Sequence, residues 1–261
     1  MNSMRTLSLL ETRKLARFID CQRRVVETQR AAATDFLTAY PRNRAVPSPR
    51  SRAVLVVGSE RGFCGDFNAA LRAKLAQLLN SSDALTWAVI AVGRKLAAEL
   101  DFLGDSLRFL DGATTAEEVP ALLQRLVSVI DERLGEFEGS QLSAIYHGGG
   151  KGEVTLTTVI PAFEGLPAPA RCFAYPPRIY LAPEVFFSQL VEQYLFAQLH
   201  EMVFSSLLKE HQRRVQHLDG ATQRLEQALE DLARSSNALR QEEITEELQV
   251  ILLGADLVNV D

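Results

Sequence analysis

The residues with chemical potential in this chain are few, and most lie just after its first apolar run. Gly58-Ser59-Glu60-Arg61-Gly62-Phe63-Cys64-Gly65-Asp66-Phe67-Asn68 leaves a strand pattern and opens a helical one, where backbone N–H groups can cradle a phosphate. The glycines do not follow G-x-G-x-x-G, and no Lys-Ser/Thr pair closes the loop. Asp66 would stand beside any bound phosphate, and the next strand ends in Gly93-Arg94 with no acidic residue for a ribose. The pattern predicts a tight turn whose glycines adopt positive φ. Gly148-Gly149-Gly150-Lys151-Gly152 has Ile145 where a phosphate loop needs its first glycine, and reads as a hairpin turn. His200-Glu201-Met202-Val203-Phe204 has Phe204 where a zinc protease needs its second histidine. His211 and His217 are six apart and fall on different helix faces, so all three histidines are expected on a solvated surface. Cys64 has no histidine near it in sequence, and no nucleophile, base and oxyanion site assemble. The expectation is a chain that is not an enzyme, with no cofactor, no metal and no catalytic residue.

The elements that carry these residues fall into three textures. Residues 5–40 form one helical stripe through Leu7, Leu10, Phe18, Cys21, Val25, Ala32 and Phe36, ended by Pro41. Residues 41–52 are a proline- and arginine-rich linker without aromatic residues, which argues against a nucleic-acid arm. Residues 53–178 alternate strands and helices. Strands are expected at Ala53–Val57, Trp87–Val92, Leu107–Leu110, Leu142–His147 and Val154–Ile160. Helices are expected at Asn68–Leu79, Lys95–Leu103 and Val119–Arg133. Alternation of this kind implies an open, mostly parallel sheet covered on both faces, with the last strand antiparallel through its short hairpin.

Residues 179–261 are the third texture. Pro183 suits a first helical position, no proline follows it, and apolar residues recur at helical spacing almost to the end. Leu218, Leu225, Leu232 and Leu239 fall one heptad apart, with Val215, Thr222, Leu229 and Ser236 three residues before each, an a/d seam. At ~1.5 Å per residue such a helix spans roughly 110 Å. Residues 1–52 carry eleven Lys/Arg against four Asp/Glu, and residues from Pro183 onward six against fourteen. That complementarity favours pairing of the two ends with each other. The fold class is therefore α/β: an antiparallel coiled coil of N- and C-terminal helices with an inserted, open, mostly parallel sheet domain. The first helix covers about half of the long one at most.

The overall charge of −5 is mild, and Cys21, Cys64 and Cys172 are too few and too scattered for a disulfide framework. This fits a reducing compartment, with neither a signal peptide nor a membrane span. Near the C-terminus Leu248, Val250, Ile251, Leu252, Leu253, Ala255, Leu257, Val258 and Val260 occupy nearly all sides of the helix. An apolar helix end of this kind calls for a sleeve made by other chains.

Several of these stretches resemble the gamma subunit of F-type rotary ATP synthases. Arg61-Gly62-Phe63-Cys64-Gly65 and Asn68 resemble that family's R-G-L-C-G-G-x-N turn. Asn237 to Leu248 is similar to its N-x-x-R-Q-x-x-I-T-x-E-L, with Gly254-Ala255 where it has Gly-Ala. Glu210, Arg214, Ala221 and Thr222 fit its S-E-x-x-A-R-M…A-T run, and Tyr180 and Tyr194 stand at its tyrosine positions. Asp66 replaces a glycine, Val215 and Leu218 replace methionines, Thr28 and Arg30 stand where methionines are expected, and the stretch before the sheet is short. These departures place the chain on a divergent branch. The resemblance implies a central-stalk rotor that carries torque between a membrane rotor ring and a hexamer of catalytic and non-catalytic subunits. It also implies a small epsilon subunit as neighbour, peripheral attachment at the cytoplasmic face of a bacterial plasma membrane, and no direct insertion or nucleic-acid partner. It assigns Arg240 and Gln241 to a catch loop of the ring, carries over Thr245 and Glu247 as further ring contacts, and turns Arg61 and Cys64 toward an acidic lever of the catalytic subunits. The residues alone leave two alternatives: a homodimeric coiled-coil scaffold with an α/β binding head, and a nucleotide-dependent enzyme resting on the turn at Gly58–Asn68.

Overall fold

The computed structural model describes residues 2–41, 51–80, 87–134, 139–148, 153–164, 166 and 177–258. The expectations for the linker at 42–50, the loop at 149–152, Cys172 and the side chains beyond Ile251 lie outside the described residues.

The first helix, α1 (Asn2–Ala39), has neither proline nor glycine in its interior and stops two residues before Pro41. Leu15, Ile19, Val26, Ala33 and Phe36 are its buried stripe, spaced at three, four or seven residues as one helix face requires. Five strands follow: β1 (Ser51–Val57), β2 (Trp87–Val92), β3 (Leu107–Leu110), β4 (Ser140–His147) and β5 (Val154–Ile160). They form one sheet in the order β3-β2-β1-β4-β5. All neighbours are parallel except β4 and β5, whose antiparallel register shifts at Leu142/Ser143.

Helices α2 (Phe67–Asn80), α3 (Arg94–Leu100) and α4 (Val119–Leu134) connect the strands. The expected helix to Leu103 stops earlier. At Asp101 the chain tightens into 3-10 turns through Ser106, broken by Gly104 at φ 53. The alternating side chains of β1 serve two cores, as its period of two dictates. Val54 and Val56 pack with Phe67, Leu71 and Leu75 of α2 and with Leu96 of α3. Ala53, Leu55 and Val57 pack with Leu122 and Leu126 of α4, with Leu15 and Ile19 of α1, and with Met202, Val203 and Leu207 of the last helix. The sheet is open and mostly parallel with both faces covered, as the sequence predicts.

That last helix, α5 (Pro183–Val258), is 76 residues long. Its first part runs antiparallel to α1. Phe36 stacks near Phe186 and Phe187 (5.1 and 5.7 Å between centroids), Gln22 Nε2 donates to the Ala197 carbonyl (3.2 Å), and Phe18 stacks on Phe204 (5.9 Å). Arg23 and Glu201 form an ion pair at 3.6 Å. The helices therefore pair through aromatic and apolar contacts more than through the charge difference between the chain ends. The seam also differs from the heptad pattern. It uses Leu190, Tyr194 and Ala197; of the heptad leucines Leu218 is buried, whereas Leu225, Leu232 and Leu239, with Leu229 between them, are exposed.

Residues Asn2–Val215 form one compact unit, and the remainder of α5 from Gln216 forms a second. Within the second, Leu218 is buried, but Leu229 and Leu232 are 65% and 67% exposed, so from Leu225 on its described helix buries almost none of its apolar stripe. No helix among the described residues is long and apolar enough to cross a membrane.

Candidate functional site

Glycines and one asparagine shape the turn that follows β1. Gly58 N–H donates to the Val92 carbonyl (2.9 Å), and a Cβ on Gly58 would lie 2.4 Å from Leu96 Cβ, so only glycine lets β1 end beside α3. Asn68, at the start of α2, accepts from Ser59 N–H (3.1 Å) and donates to Ser59 Oγ (3.0 Å). Phe63 (φ 63) and Gly65 (φ 61) take left-handed conformations that reverse the chain between them. A turn with positive φ is therefore correct, although a phenylalanine supplies part of it.

Glu60 is buried and reaches across the C-terminal ends of three strands. Its Oε2 accepts from Arg94 N–H (3.0 Å) and Gly112 N–H (2.8 Å), and its Oε1 accepts from Arg94 Nε (2.5 Å). Arg94 also pairs with Asp111 at 3.2 Å. The Glu60 hydrogen bond and charge raise the already high pKa of this exposed guanidinium. A carboxylate of the chain itself thus takes N–H donors beyond the ends of β2 and β3. The sequence showed only that Gly93-Arg94 lacks an acidic neighbour for a ribose; the acidic partner comes from the preceding turn.

The other side of the turn is held by α5. The Glu210 carboxylate pairs with Arg214 one helical turn on, and accepts from the backbone N–H of Arg61 (3.3 Å) and Glu60 (3.4 Å). Arg214 Nε donates to the Gly62 carbonyl (3.2 Å) and its Nη2 to Cys64 Sγ (3.4 Å). Both side chains are buried. Burial pushes the Glu210 carboxyl up, while Arg214 and the two N–H groups oppose it. Ser206, one turn before Glu210, donates to the Val57 carbonyl at 2.8 Å.

His211 corrects the expectation of a solvated face, being only 5% exposed. Its Nε2 lies 3.2 Å from the Thr114 carbonyl and its Nδ1 3.3 Å from Arg214 Nη1. A carbonyl accepts and a guanidinium donates, so the ring is neutral with its proton on Nε2. Burial, then the Arg214 charge, holds its pKa down to about 4. His200 is half-buried, stacked on Phe204 at 5.2 Å, and burial lowers its pKa as well. Of the three histidines only His217 is exposed.

Cys64 is 6% exposed, and its thiol is pushed up to about 12, first by burial and then by the Glu210 charge, against Arg214. Such a thiol is not a nucleophile at neutral pH. What the turn offers outward is the Arg61 side chain and Phe63, which is 53% exposed. Asp66, also exposed, pairs with Arg213 at 3.3 Å. Arg61 and Cys64 therefore share one turn with different roles, one outward and one inward. Arg240, Gln241, Thr245 and Glu247 are exposed on the second unit, where Thr245 Oγ1 donates to the Gln241 carbonyl at 2.7 Å. Arg240 and Glu247 lie seven residues apart on one helix face. Among the described residues no cluster of three or more His, Cys, Asp or Glu side chains could hold a metal ion.

The sequence pattern of one family, described as ATP synthase, matches residues 1–258. The chain is 27% identical over 214 residues to the ATP synthase gamma chain of Actinobacillus pleuropneumoniae serotype 3, an alignment covering 77% of this chain and 72% of that one. It is 23% identical over 245 residues to the ATP synthase gamma chain of Herpetosiphon aurantiacus, covering 85% and 78%. Among solved structures, the central stalk and c-ring structure of the Tetrahymena thermophila mitochondrial ATP synthase contains a chain of the same fold. There the TM-score is 0.58 at 14% identity, with 85% of this chain and 98% of that one covered. A chain of the Euglena gracilis mitochondrial ATP synthase matches with a TM-score of 0.57 at 12% identity, covering 97% and 93%.

Proposed function

The chain belongs to the ATP synthase family, and from that premise we propose that it carries torque between a membrane rotor ring and a catalytic hexamer without itself catalysing a reaction. It is a rotor stalk subunit, as its curated relatives are gamma chains and its fold is that of central-stalk chains. The single observation that carries the mechanical reading is α5: one helix of 76 residues, firmly built into the α/β unit over its first part and exposing its leucines from Leu225 on. A helix with an exposed apolar stripe needs surroundings, and a ring of other subunits supplies them.

In this reading Arg240 and Gln241 hydrogen-bond a catch loop of the ring, Thr245 and Glu247 lie against it, and Arg61 meets an acidic lever of the catalytic subunits. Arg61 and Phe63 are exposed on the turn, while Cys64 shapes it from inside. The α/β unit faces the membrane ring and an epsilon subunit, and the complex holds the chain at the cytoplasmic face of a bacterial membrane. Torque biases each catalytic site among conformations of different affinity, so the chain acts by contact and not by chemistry. The nucleotide-enzyme alternative loses its footing, because Asn68 and Glu210 already accept the N–H groups of Ser59, Glu60 and Arg61 in the turn on which it rested.

The test is reconstitution. Purified with its ring subunits, the chain should co-elute with a nucleotide-binding hexamer and support ATP-driven rotation of a bead attached to its α/β unit. A chain that stays monomeric beside an assembled hexamer would overturn the reading.

A further inference from the structure

A rotor shaft must be fastened to its own head strongly enough that twisting one turns the other. The apolar contacts of α5 with the sheet, through Met202, Val203 and Leu207, give cohesion but little resistance to rotation about the helix axis, because apolar contact is non-directional. Hydrogen bonds resist it, since they weaken steeply with angle and distance. On α5 the polar attachments to the sheet's C-terminal edge are concentrated in one short stretch. Ser206 is bound to the Val57 carbonyl, Glu210 to two backbone N–H groups of the turn, His211 to the Thr114 carbonyl, and Arg214 to the Gly62 carbonyl. Three of these four residues are cross-tied: Arg214 pairs with Glu210 and donates to His211. The turn is in turn tied by Glu60 to the start of α3 and the end of β3. Every one of these side chains is buried, so salt does not screen them.

We propose that Glu210, His211 and Arg214 form the torsional joint at which rotation passes between α5 and the α/β sheet. The proposal rests on the rotor reading above. These are positioning residues: they touch no nucleotide and act by preventing slip. The charged hydrogen bonds at Glu210 and Arg214 carry the largest share, because a charged partner roughly doubles the strength of such a bond.

The experiment uses the full complex in sealed vesicles. Glu210→Leu combined with Arg214→Met removes the ion pair while keeping apolar volume, and Arg214→Lys keeps charge but loses the fork to Gly62 and Cys64. ATP hydrolysis and ATP-driven ion pumping are measured on the same vesicles, together with the angular fluctuation of a bead on the α/β unit when the hexamer is held fixed. Expected are hydrolysis unchanged within about twofold, ions pumped per ATP reduced about threefold or more in the double variant, wider angular fluctuation, and an intermediate value for Arg214→Lys. Wild-type pumping per ATP and wild-type fluctuation in the double variant would overturn the joint. If the double variant does not assemble, Arg214→Lys is measured alone, and wild-type pumping per ATP with wild-type fluctuation there overturns the proposal equally. Failure of the wild-type chain to assemble with the hexamer would strike the rotor reading itself, and is seen before any variant is made.

Discussion

Arg214 and Glu210 stand one helical turn apart in α5 with both side chains buried, and each is completed by the turn after β1 and not only by the other. The carboxylate accepts from the N–H groups of Glu60 and Arg61, and the guanidinium donates to the Gly62 carbonyl and Cys64 Sγ. A surface pair at the same spacing stabilises by a few tenths of a kcal/mol. Here removal of either partner strands a charge away from water.

Arg214→Ala is therefore expected to destabilise the Asn2–Val215 unit by about 3–5 kcal/mol, the usual cost of orphaning one member of a buried pair. Glu210→Leu with Arg214→Met should cost distinctly less than the single change, because no charge is left behind. Urea unfolding of the isolated chain, followed by the fluorescence of its one tryptophan, the buried Trp87, measures both. Equal losses in the single and double variants would mean that packing, not charge, holds the turn.

His211 gives the fold an acid limit. Its folded pKa of about 4 lies below the usual value of 6.5, so the unfolded chain binds a proton more readily than the folded one. The stabilisation is complete above pH ~6.5 and is lost as the pH falls towards ~4, about 3 kcal/mol in all. Protonation would place a second cation against Arg214, with the Arg61 charge nearby, and abolish the acceptor at Nδ1. Stability curves at pH 7, 5.5 and 4.5 should show the fall, and His211→Gln should flatten it.

Cys64 and Cys21 should separate cleanly in alkylation. Cys21 is exposed on α1, whereas Cys64 is buried with a pKa near 12. At pH 8 only roughly one Cys64 in ten thousand is a thiolate. Iodoacetamide followed by peptide mass mapping should label Cys21 in the native chain, and Cys64 only after denaturant is added. Rapid native labelling of Cys64 would show that the turn opens.

Trp87–Val92 was legible because a buried parallel strand is a nearly unbroken apolar run, and the antiparallel Val154–Ile160 because β-branched residues crowd it. Trp87–Val92, Leu107–Leu110 and Val154–Ile160 begin and end where the sequence predicts. The heptad leucines identify a long helix with an apolar stripe but cannot name what lies against it. α1 is spent on the earlier residues Leu190, Tyr194 and Ala197. His211 was misplaced because spacing between two histidines says whether they share a face, not which face is covered. Glu60 and Arg94 carry no local signal, since their contact exists only when the ends of β1, β2 and β3 are brought side by side. Glu210 and Arg214 were visible only as a helical pair that fits the rotor family's spacing. Their burial depends on a turn 150 residues earlier in the chain.

The second unit provides the last expectation. From Leu225 to Ile251 the described side chains are exposed, and the ion pairs there, Arg234 with Glu230 and Asp231, lie on the surface and stabilise little. Most helix stability in proteins comes from packing one face, so a helix with that face in water opens at little cost. Trypsin should thus cut the isolated chain at Arg224, Arg234 and Arg240 well before it cuts within α1 or α4, whose apolar faces are buried. In the assembled complex the same three sites should be protected, because a surrounding ring buries the leucines and removes the open state that the protease needs. Early cutting in the isolated chain with protection in the complex is the pattern a shaft inside a sleeve must give. Equal rates in both would show that these leucines remain in water after assembly, and the proposed contacts of Arg240 and Gln241 with the ring would fall with that result.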